Sequence, residues 1–433
     1  MKATFENAVT ALIKLLRINS VESAPKEGMP FGEGNAKALQ EMLEIMASFG
    51  FKTKNIDNYC GWAEVGEGEL FGVLTHLDVV PEGEGWSFPP FGAEIHNGRI
   101  YARGAMDDKG PAIASAFAAA RLLQEGLVPN KRLRFIFGSD EESGWKCMDR
   151  YAQTEEMPVM GFSPDADFPV INCEKGIVYH EISIPLPQGV VSIKGGERAN
   201  MVPDSAQAIL EYDEYLAKKS VANGVIAKKE GDFLFLSAEG VSAHASNPSL
   251  GKNAIITLLS VLGEKYGALK KIYQAFAFNN GEGVGLKLSD EESGDLTLNL
   301  GTAAILDNNI VFNLDTRHPI STTKDQITAT LKENLPLASV TQGFFHLPLF
   351  VPKDNPLVVK LLDAYNSVMG VNATPITIGG GTYARFLPLG VAFGAQFPGT
   401  PETIHQKDEY IVLEEFELMI EIYYRAIKSL CFE

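Results

Sequence analysis

The stretch FGVLTHLDVVPEGEGWSFPPFGAEIHNGRIYARGAMDDKG, residues 71–110, decides the fold of this protein. Its apolar start predicts a buried parallel strand, and His76 and Asp78 follow at the carboxyl end of that strand. In open α/β sheets ligands bind at this end, and side chains two residues apart in a strand point the same way. Asp107 and Asp108 follow at a second turn. Because histidine and carboxylates at strand ends suit Zn²⁺ or Mn²⁺, the stretch predicts a metal site.

The sequence around this stretch continues an α/β pattern. The apolar runs Arg132–Gly138 and Met160–Phe162 predict two more buried strands, and a helical pattern lies between them. Strands that alternate with helices are typical of a parallel sheet. From about Pro352 the same pattern returns, and it ends in a predicted helix over Leu413–Leu430.

The middle of the chain has a different pattern. After about Gly176, strands of alternating polarity lie between helices predicted at Ser205–Val221, Lys252–Tyr266 and Thr323–Glu333. This pattern predicts an α+β domain inserted into the first domain. We therefore predict an α/β protein with a mixed, mainly parallel sheet flanked by helices. The sheet domain is predicted to comprise residues 1–180 and 352–433, and the inserted α+β domain residues 181–351.

Composition limits the classes of function. A chain of 433 residues is too long for one ordinary core, which favours two domains. The net charge of −18 argues against nucleic acid as a partner, because neutralising phosphates needs a basic surface. The four cysteines lack paired spacing and indicate free thiols in a reducing compartment. Since no apolar run approaches the roughly 20 residues of a membrane span and no signal-peptide core is found, we predict a cytoplasmic protein with no membrane partner.

Five candidate metal ligands lie far apart in sequence but at equivalent places, at the ends of predicted strands: His76, Asp107, Glu142, Asp165 and His405. Two histidines and three carboxylates fit a two-metal site with one bridging carboxylate. Taken singly, such acidic pairs are more often solvated turns, and a lone histidine is more often structural. Five of these groups at equivalent places make the metal site the stronger interpretation.

The hexapeptide SDEESG provides an internal control because it occurs twice, at Ser139–Gly144 and at Ser289–Gly294. The first copy follows an apolar strand and is predicted at the carboxyl end of the sheet. The second copy precedes its strand in the inserted domain, and we interpret it as a surface turn. The structural context of each copy, and not its residue types, therefore assigns metal binding and catalysis to the first copy.

Seven segments together resemble the motifs of PepV-type dipeptidases: HLDVVP, YARGAMDDKG, the first SDEESG, SPDADFPV, ERANMVPD, SAHASNP and GGGTYAR. These dipeptidases belong to the co-catalytic zinc metallopeptidase family, which also contains carnosinases, aminoacylases and succinyl-diaminopimelate desuccinylases. The resemblance runs through most of the chain in the same order. It implies a zinc-exopeptidase-like catalytic domain and an inserted domain that acts as a lid.

The resemblance also implies how the metals are held. His76 and Asp165 would bind one ion, Glu142 and His405 the other, and Asp107 would bridge the two. The cofactor is then two divalent ions, with zinc favoured and manganese or cobalt as alternatives. A cis peptide bond is implied after the bridging aspartate, between Asp107 and Asp108.

Three further residues have catalytic roles implied by the resemblance. Asp78 would hydrogen-bond His76 and fix its tautomer. Glu141 would be the general base that takes a proton from the water shared by the metals. His244, in SAHASNP, would reach from the inserted domain to stabilise the oxyanion. Without the motif, His244 would more often be a surface-loop histidine.

Substrate-binding residues are implied in the same way. Asn200 and Arg317 would bind the substrate carboxylate or nearby backbone. A glycine-rich loop can offer backbone N–H groups to an anion, although without the resemblance a flexible turn is equally favoured. The residues of this loop and its neighbour are Gly379, Gly380, Gly381, Thr382 and Arg385.

The sequence therefore predicts a metallo-dipeptidase that releases the N-terminal residue of dipeptides. The nearest alternative is an N-acyl-amino-acid deacylase or desuccinylase with the same metal centre. A non-catalytic binding protein is a third alternative, which retention of Glu141 beside all five ligands argues against. We predict a monomer, with a homodimer as the alternative, because the PepV branch supplies His244 within one chain.

Overall fold

The structure is a computed structural model that describes residues 1–433. The chain divides into two compact units. The first unit contains Met1–Asn172, Phe350–Ile376 and Thr382–Glu433, and the second contains Cys173–Leu349 and Thr377–Gly381.

Ten α-helices lie along the chain. They are α1 (Phe5–Leu16), α2 (Glu33–Ser48), α3 (Lys109–Gln124), α4 (Lys146–Thr154), α5 (Glu214–Ala222), α6 (Ala254–Leu262), α7 (Gly267–Phe276), α8 (Lys324–Asn334), α9 (Pro356–Met369) and α10 (Leu413–Cys431). Short 3₁₀ helices lie at Pro248–Leu250, Glu282–Val284 and Tyr383–Phe386. None of the ten α-helices is long and apolar enough to cross a membrane.

The strands of the first half of the chain are β1 (Lys52–Ile56), β2 (Cys60–Val65), β3 (Leu70–His76), β4 (Glu94–His96), β5 (Arg99–Tyr101), β6 (Arg132–Gly138), β7 (Met160–Ser163), β8 (Ala166–Asp167), β9 (Ile171–Glu174), β10 (Gly176–Pro185), β11 (Val190–Gly195) and β12 (Ser205–Glu211). Those of the second half are β13 (Ile226–Glu230), β14 (Phe233–Glu239), β15 (Ser289–Asp290), β16 (Gly294–Asp295), β17 (Thr297–Leu306), β18 (Asn309–His318), β19 (Ser339–His346), β20 (Leu349–Phe350), β21 (Ile376–Ile378), β22 (Leu389–Ala392), β23 (Ala395–Gln396) and β24 (Tyr410–Val412).

The first unit is built on a mixed sheet in the order β1-β2-β6-β3-β7-β22-β9-β20. Its centre is parallel, because β3 pairs in parallel with β6 and β7, and β7 with β22. Every residue of β3 is buried, as expected for a strand covered on both faces. The small side chains of α3 are buried along nearly its whole length, so this helix packs closely on its neighbours. This arrangement confirms the predicted α/β class.

The second unit contains an antiparallel sheet in the order β13-β14-β12-β11-β17-β18-β10-β19. Side chains from its strands share one apolar core with α5, α6, α7 and α8, which is an α+β arrangement. β10 pairs with β18 along its length, from Gly176 to Pro185, so the chain joins this sheet before residue 180. The boundary predicted from the sequence lies at that residue.

One predicted helix is wrong over half its length. The segment Ser205–Glu211 is strand β12, and only the part from Glu214 onward is helical. Ala206, Ala208 and Leu210 are buried, with more exposed residues between them, which is the two-residue period of a strand. Alanine, leucine and glutamate favour helices in isolation, but pairing with β11 and β14 overrides that preference here.

The four cysteines are all buried, and none forms a disulfide. This agrees with the absence of paired spacing in the sequence. Burial raises the pKa of the Cys60 and Cys431 thiols to about 12, so neither is a reactive thiolate at neutral pH.

Candidate active site

The parallel strands of the first unit bring acidic and histidine side chains to one edge of the sheet. His76 is the last residue of β3 and lies opposite Gly138, the last residue of β6. The first SDEESG copy follows Gly138, and Asp165 follows the end of β7. Because parallel strands share their carboxyl edge, side chains far apart in sequence meet there.

One three-residue group contains His76, Asp107 and Asp165, whose ligand atoms all lie within 4.8 Å of one another. His76 Nε2 is 2.8 Å from Asp107 Oδ1 and 3.7 Å from Asp165 Oδ2. His76 is fully buried. The peptide bond that follows Asp107 is cis, as the resemblance implied.

A second group contains Asp107, Glu142 and His405, again within 4.8 Å. His405 Nε2 is 2.8 Å from Asp107 Oδ2 and 3.0 Å from Glu142 Oε1. Asp107 thus belongs to both groups, and each of its two oxygens faces a different histidine. This is the arrangement expected of a carboxylate that bridges two cations.

The donor set fits divalent metals. His76 Nδ1 lies 3.0 Å from the carbonyl oxygen of Asp78. A carbonyl only accepts hydrogen bonds, so Nδ1 carries a proton and the Nε2 lone pair is the one available for coordination. Nε2 faces carboxylate oxygens of Asp107 and Asp165, which are also electron-pair donors. Imidazole nitrogen with carboxylate oxygen is a usual ligand set for zinc and related ions.

Charge and burial at the site favour a cation. Burial and the charge of Asp107 raise the pKa of Glu142. Burial also raises the pKa of Asp165, to about 6. Although burial alone would lower it, the charge of Glu142 and hydrogen bonds with the carboxylates raise the pKa of His405 to about 11. The raised pKa values of the crowded carboxylates and of the histidines beside them indicate a strongly negative site.

Glu141 lies beside the two groups without belonging to either. Burial raises the pKa of this carboxyl well above its usual value, and the charges of Asp165, Glu142 and Asp107 add to the rise. Glu141 is partly buried, and it has a strongly raised pKa without being part of a ligand group. These properties are typical of an acid–base residue.

Asp78 contacts His76 differently from the implied role. His76 Nδ1 donates a hydrogen bond to the backbone carbonyl of Asp78, whereas the carboxylate oxygen Oδ1 of Asp78 is 3.6 Å from Nδ1. The carboxylate instead accepts a hydrogen bond from the backbone N–H of Glu142, at 3.0 Å. Asp78 therefore links the strand that carries His76 to the loop that carries Glu142.

The second unit contains three predicted site residues, and two of them, Asn200 and His244, lie on paired segments. The backbone N–H of Ala245 donates to the carbonyl of Asn200 at 2.8 Å, and Met201 pairs with His244 in a β-bridge. The N–H of Ser246 donates to His244 Nδ1 at 3.3 Å. Ser246 Oγ lies 2.7 Å from the same nitrogen. When Nδ1 accepts from both groups, the ring proton of neutral His244 lies on Nε2.

Arg317, the third of these residues, is 3% exposed and is already engaged within the second unit. Its Nε and Nη2 donate to the two carboxylate oxygens of Asp315, both at 2.7 Å, and its Nη1 donates to the carbonyl of Gly379 at 2.9 Å. The family resemblance implied only a substrate contact for Arg317. The structure adds that it anchors the glycine loop.

The other predicted loop residues divide between the units. Gly380 and Gly381 belong with Gly379 to the second unit. Thr382 begins the 3₁₀ helix of the first unit, where its Oγ1 accepts a hydrogen bond from the N–H of Ala384 at 3.2 Å. Arg385 lies on that short helix.

Two buried charged residues beside the site, Arg103 and Glu409, were not predicted from the sequence. Arg103 and Glu409 form an ion pair, and Glu409 also accepts hydrogen bonds from the backbone N–H groups of Met106 and Asp107. The sequence contains a signal for both residues, because each is a charged residue near a predicted ligand. Arg103 lies before Asp107 in YARGAMDD, and Glu409 lies after His405 in HQKDEY.

Comparisons with known proteins identify the family of this chain. The model of peptidase family M20/M25/M40 matches residues 72–429. The protein named "Putative dipeptidase YtjP" from Bacillus subtilis (strain 168) is 42% identical over 455 residues, which cover 98% of this chain and 97% of that protein.

Two solved structures share the fold at low sequence identity. Human carnosine dipeptidase 1 matches with a TM-score of 0.61 and 14% identity, covering 98% of this chain and 96% of that one. A tripeptidase from Staphylococcus aureus subsp. aureus Mu50 matches with a TM-score of 0.58 and 17% identity, covering 98% of both chains. The extent of the family match and of the relative at 42% identity establish the identity of the chain: it is a member of peptidase family M20/M25/M40.

Proposed function

We propose that this protein is a metal-dependent dipeptidase that releases the N-terminal residue of dipeptides. Its family makes it a peptidase, and a relative that matches nearly the whole chain is named as a dipeptidase. The single observation that carries the mechanism is the position of Asp107, which has one carboxylate oxygen facing each of two histidines.

Membership of the family implies divalent metal ions, and we propose that there are two, with zinc favoured over manganese or cobalt. His76, Asp107 and Asp165 would hold one ion, and Asp107, Glu142 and His405 the other. When bound, such ions polarise a carbonyl oxygen and lower the pKa of water. In each group the ligand atoms lie within 4.8 Å of one another, which supports this assignment.

Glu141 would act as the general base and then as the general acid. It takes one proton from the attacking water while the water oxygen bonds to the peptide carbonyl carbon. The C–N bond then breaks, and Glu141 gives its proton to the leaving amine. The raised pKa of Glu141 supports this assignment, because burial and neighbouring negative charge help it to hold a proton between the two steps.

The second unit would orient the substrate. We propose that His244 donates its Nε2 proton to the developing oxyanion, and the hydrogen bond from Ser246 to Nδ1 favours the required tautomer. Asn200, on the neighbouring segment, would bind the substrate carboxylate or backbone. Arg317 would contribute through its remaining donors and through the loop of Gly379, Gly380 and Gly381 that it anchors, with Thr382 and Arg385 next to it in sequence.

We further propose that the protein acts as a monomer in the cytoplasm. A second unit that carries His244, Asn200 and Arg317 on the same chain as the proposed metal ligands supports a site completed within one chain. The four buried thiols support a reducing compartment.

The test is a metal-reconstituted assay on a panel of dipeptides, with N-acetylated dipeptides and tripeptides as matched controls. We expect hydrolysis of free dipeptides and much slower reaction of both controls. Faster hydrolysis of N-acyl amino acids than of dipeptides would replace the dipeptidase with a deacylase or desuccinylase. Equal rates on tripeptides would widen the substrate class.

A further inference from the structure

A buried ion pair joins the segments that carry three of the five proposed ligands. Glu409 is fully buried, Arg103 is 2% exposed, and Glu409 Oε2 lies 2.7 Å from Arg103 Nη1. A buried ion pair adds little net stability, because the cost of removing both charges from water offsets their attraction. The contacts of this pair indicate a more specific role.

The second carboxylate oxygen of Glu409 faces the segment of the bridging carboxylate. Glu409 Oε1 accepts hydrogen bonds from the backbone N–H of Met106, at 2.9 Å, and of Asp107, at 3.4 Å. Glu409 therefore fixes the backbone immediately before the Asp107 side chain, whose two oxygens must each face a different histidine. Glu409 itself lies on the segment that carries His405.

Arg103 extends these contacts to a third segment. Its Nη2 donates to the carbonyl oxygens of Pro81 and Glu82, at 3.5 and 3.2 Å. Those residues lie in the loop that follows His76 and Asp78. One ion pair thus holds together the segments of His76, Asp107 and His405.

We propose that Glu409 is a positioning residue that sets the orientation of Asp107, with Arg103 as its counter-charge. The inference rests on the proposed metal site, since Asp107 matters as the residue shared by both ligand groups. Groups that orient metal ligands typically contribute about 10- to 100-fold to metal affinity. Loss of Glu409 is therefore expected to weaken metal binding in protein that remains folded.

Glu409→Gln is the sharpest variant, because glutamine keeps the shape of the side chain. A carboxylate accepts on both oxygens, whereas an amide has one accepting oxygen and one donating NH₂ group. The glutamine oxygen can accept from the guanidinium or from the two backbone N–H groups, but not from both. The NH₂ group of glutamine must then face the remaining donors. A matched control is Glu64→Gln, which leaves another largely buried arginine, Arg134, without its carboxylate partner.

The experiment measures Zn²⁺ affinity by competition with a chromophoric chelator, at a temperature where circular dichroism shows each variant to be folded. We expect Glu409→Gln to bind Zn²⁺ about 10- to 100-fold more weakly than the wild type. Glu64→Gln should lower the melting temperature and leave the affinity within about twofold. Affinity of folded Glu409→Gln within twofold of the wild type would reduce the pair to a structural role and overturn the proposal.

A second variant keeps the test decisive if Glu409→Gln does not fold. Glu409→Leu combined with Arg103→Met removes both charges, which relieves the unpaired guanidinium. The N–H groups of Met106 and Asp107 still lose their acceptor, so Zn²⁺ affinity should remain about 10- to 100-fold weaker. Unchanged affinity in this folded double variant also overturns the proposal. Failure of the wild type itself to bind Zn²⁺ would instead reject the metal site, and the inference with it.

Discussion

The two copies of SDEESG place the same six residues in opposite environments. Ser139–Gly144 follows the buried parallel strand β6 in the first unit, whereas Ser289–Gly294 forms the tight antiparallel hairpin β15–β16 in the second. Local sequence is held constant between the copies. Any difference in chemistry must therefore come from the neighbours that each fold supplies.

In the first copy those neighbours are charged. Glu142 Oε1 lies 3.0 Å from His405 Nε2, and Glu142 is grouped with Asp107. Burial raises the pKa of Asp140, to about 6, and that of Glu141 well above its usual range. The carboxyl groups of this copy are held where ionisation is costly, as at sites of acid–base chemistry.

In the second copy the neighbours are hydrogen-bond donors. Asp290 Oδ1 accepts from the backbone N–H and the hydroxyl of Ser293, both at 2.7 Å, and Oδ2 accepts from the N–H of Ser321 at 3.0 Å. Although burial alone would raise it, these hydrogen bonds lower the pKa of Asp290 to about 2. In this copy the same hexapeptide forms a turn that is stabilised by an ionised carboxylate.

Removal of metal should produce the largest difference between the two SDEESG copies. Chelation is expected to abolish hydrolysis and Zn²⁺, Mn²⁺ or Co²⁺ to restore it, because the proposed ligands include Glu142 of the first copy. Hydrogen exchange should become slower at 139–144 on metal addition and stay the same at 289–294. Full activity in protein shown by elemental analysis to be metal-free would exclude the two-metal mechanism.

Equivalent substitutions at the third position provide a matched pair. Glu141→Gln should lower kcat by about 10²- to 10⁴-fold, the usual scale of general acid–base catalysis, while metal content is retained. Glu291→Gln should leave kcat unchanged, since Glu291 is exposed in the hairpin. The measurements are steady-state kinetics and elemental analysis of both variants. Loss of metal in proportion to activity would make Glu141 a ligand and not the base.

The second unit is nevertheless expected to take part in catalysis through His244. His244→Ala should lower kcat by about 10²- to 10³-fold, as for the loss of one oxyanion donor, with metal content unchanged. Asparagine at this position keeps a donor of similar reach and should recover part of the loss. An unchanged kcat for His244→Ala would confine catalysis to the first unit.

Mixing Glu141→Gln with His244→Ala tests whether the site lies within one chain. A monomer with its own His244 predicts no recovery of activity on mixing, because each chain lacks one required group. Recovery to a substantial fraction of the wild-type rate would show that two chains share the site. The proposed monomer would then be replaced by a homodimer.

Much of the difference between the two SDEESG copies can be predicted from the sequence. The apolar run that ends at His76 and the strand before the first SDEESG place their polar residues at one sheet edge, because the parallel fold leaves few alternatives. The fold class and the family resemblance are confirmed by the structure and the family match. The metal and substrate roles stay predictions.

The remaining features depend on tertiary partners that have no local signature. Ser205–Glu211 is a strand because β11 and β14 lie on either side of it. Arg317 is anchored by Asp315 and Gly379, and only folding brings the glycine loop to it. Asp78 contacts His76 through its carbonyl because of how the chain turns after β3. Backbone contacts of this kind cannot be predicted from residue type.

The smallest expected effect concerns stability and belongs to the second copy. Asp290→Ala should lower the free energy of unfolding by about 1–2 kcal/mol, because the N–H groups of Ser293 and Ser321 lose a charged acceptor. The control Glu291→Ala, at an exposed position in the same hairpin, should change it by less than about 0.5 kcal/mol. Urea unfolding followed by hydrogen exchange in the hairpin measures both.

The pH dependence of that effect has a definite sign. The pKa of Asp290 in the folded protein, about 2, lies below the value of about 3.9 for an unfolded aspartate. The native state therefore binds the proton less readily, so the stabilisation is fully present above about pH 4 and is lost as the pH falls towards 2. The difference between wild type and Asp290→Ala should accordingly be constant from pH 7 to pH 5 and begin to shrink below about pH 4. A difference that instead grew on acidification would mean that the second copy, like the first, holds its carboxyl group where ionisation is unfavourable.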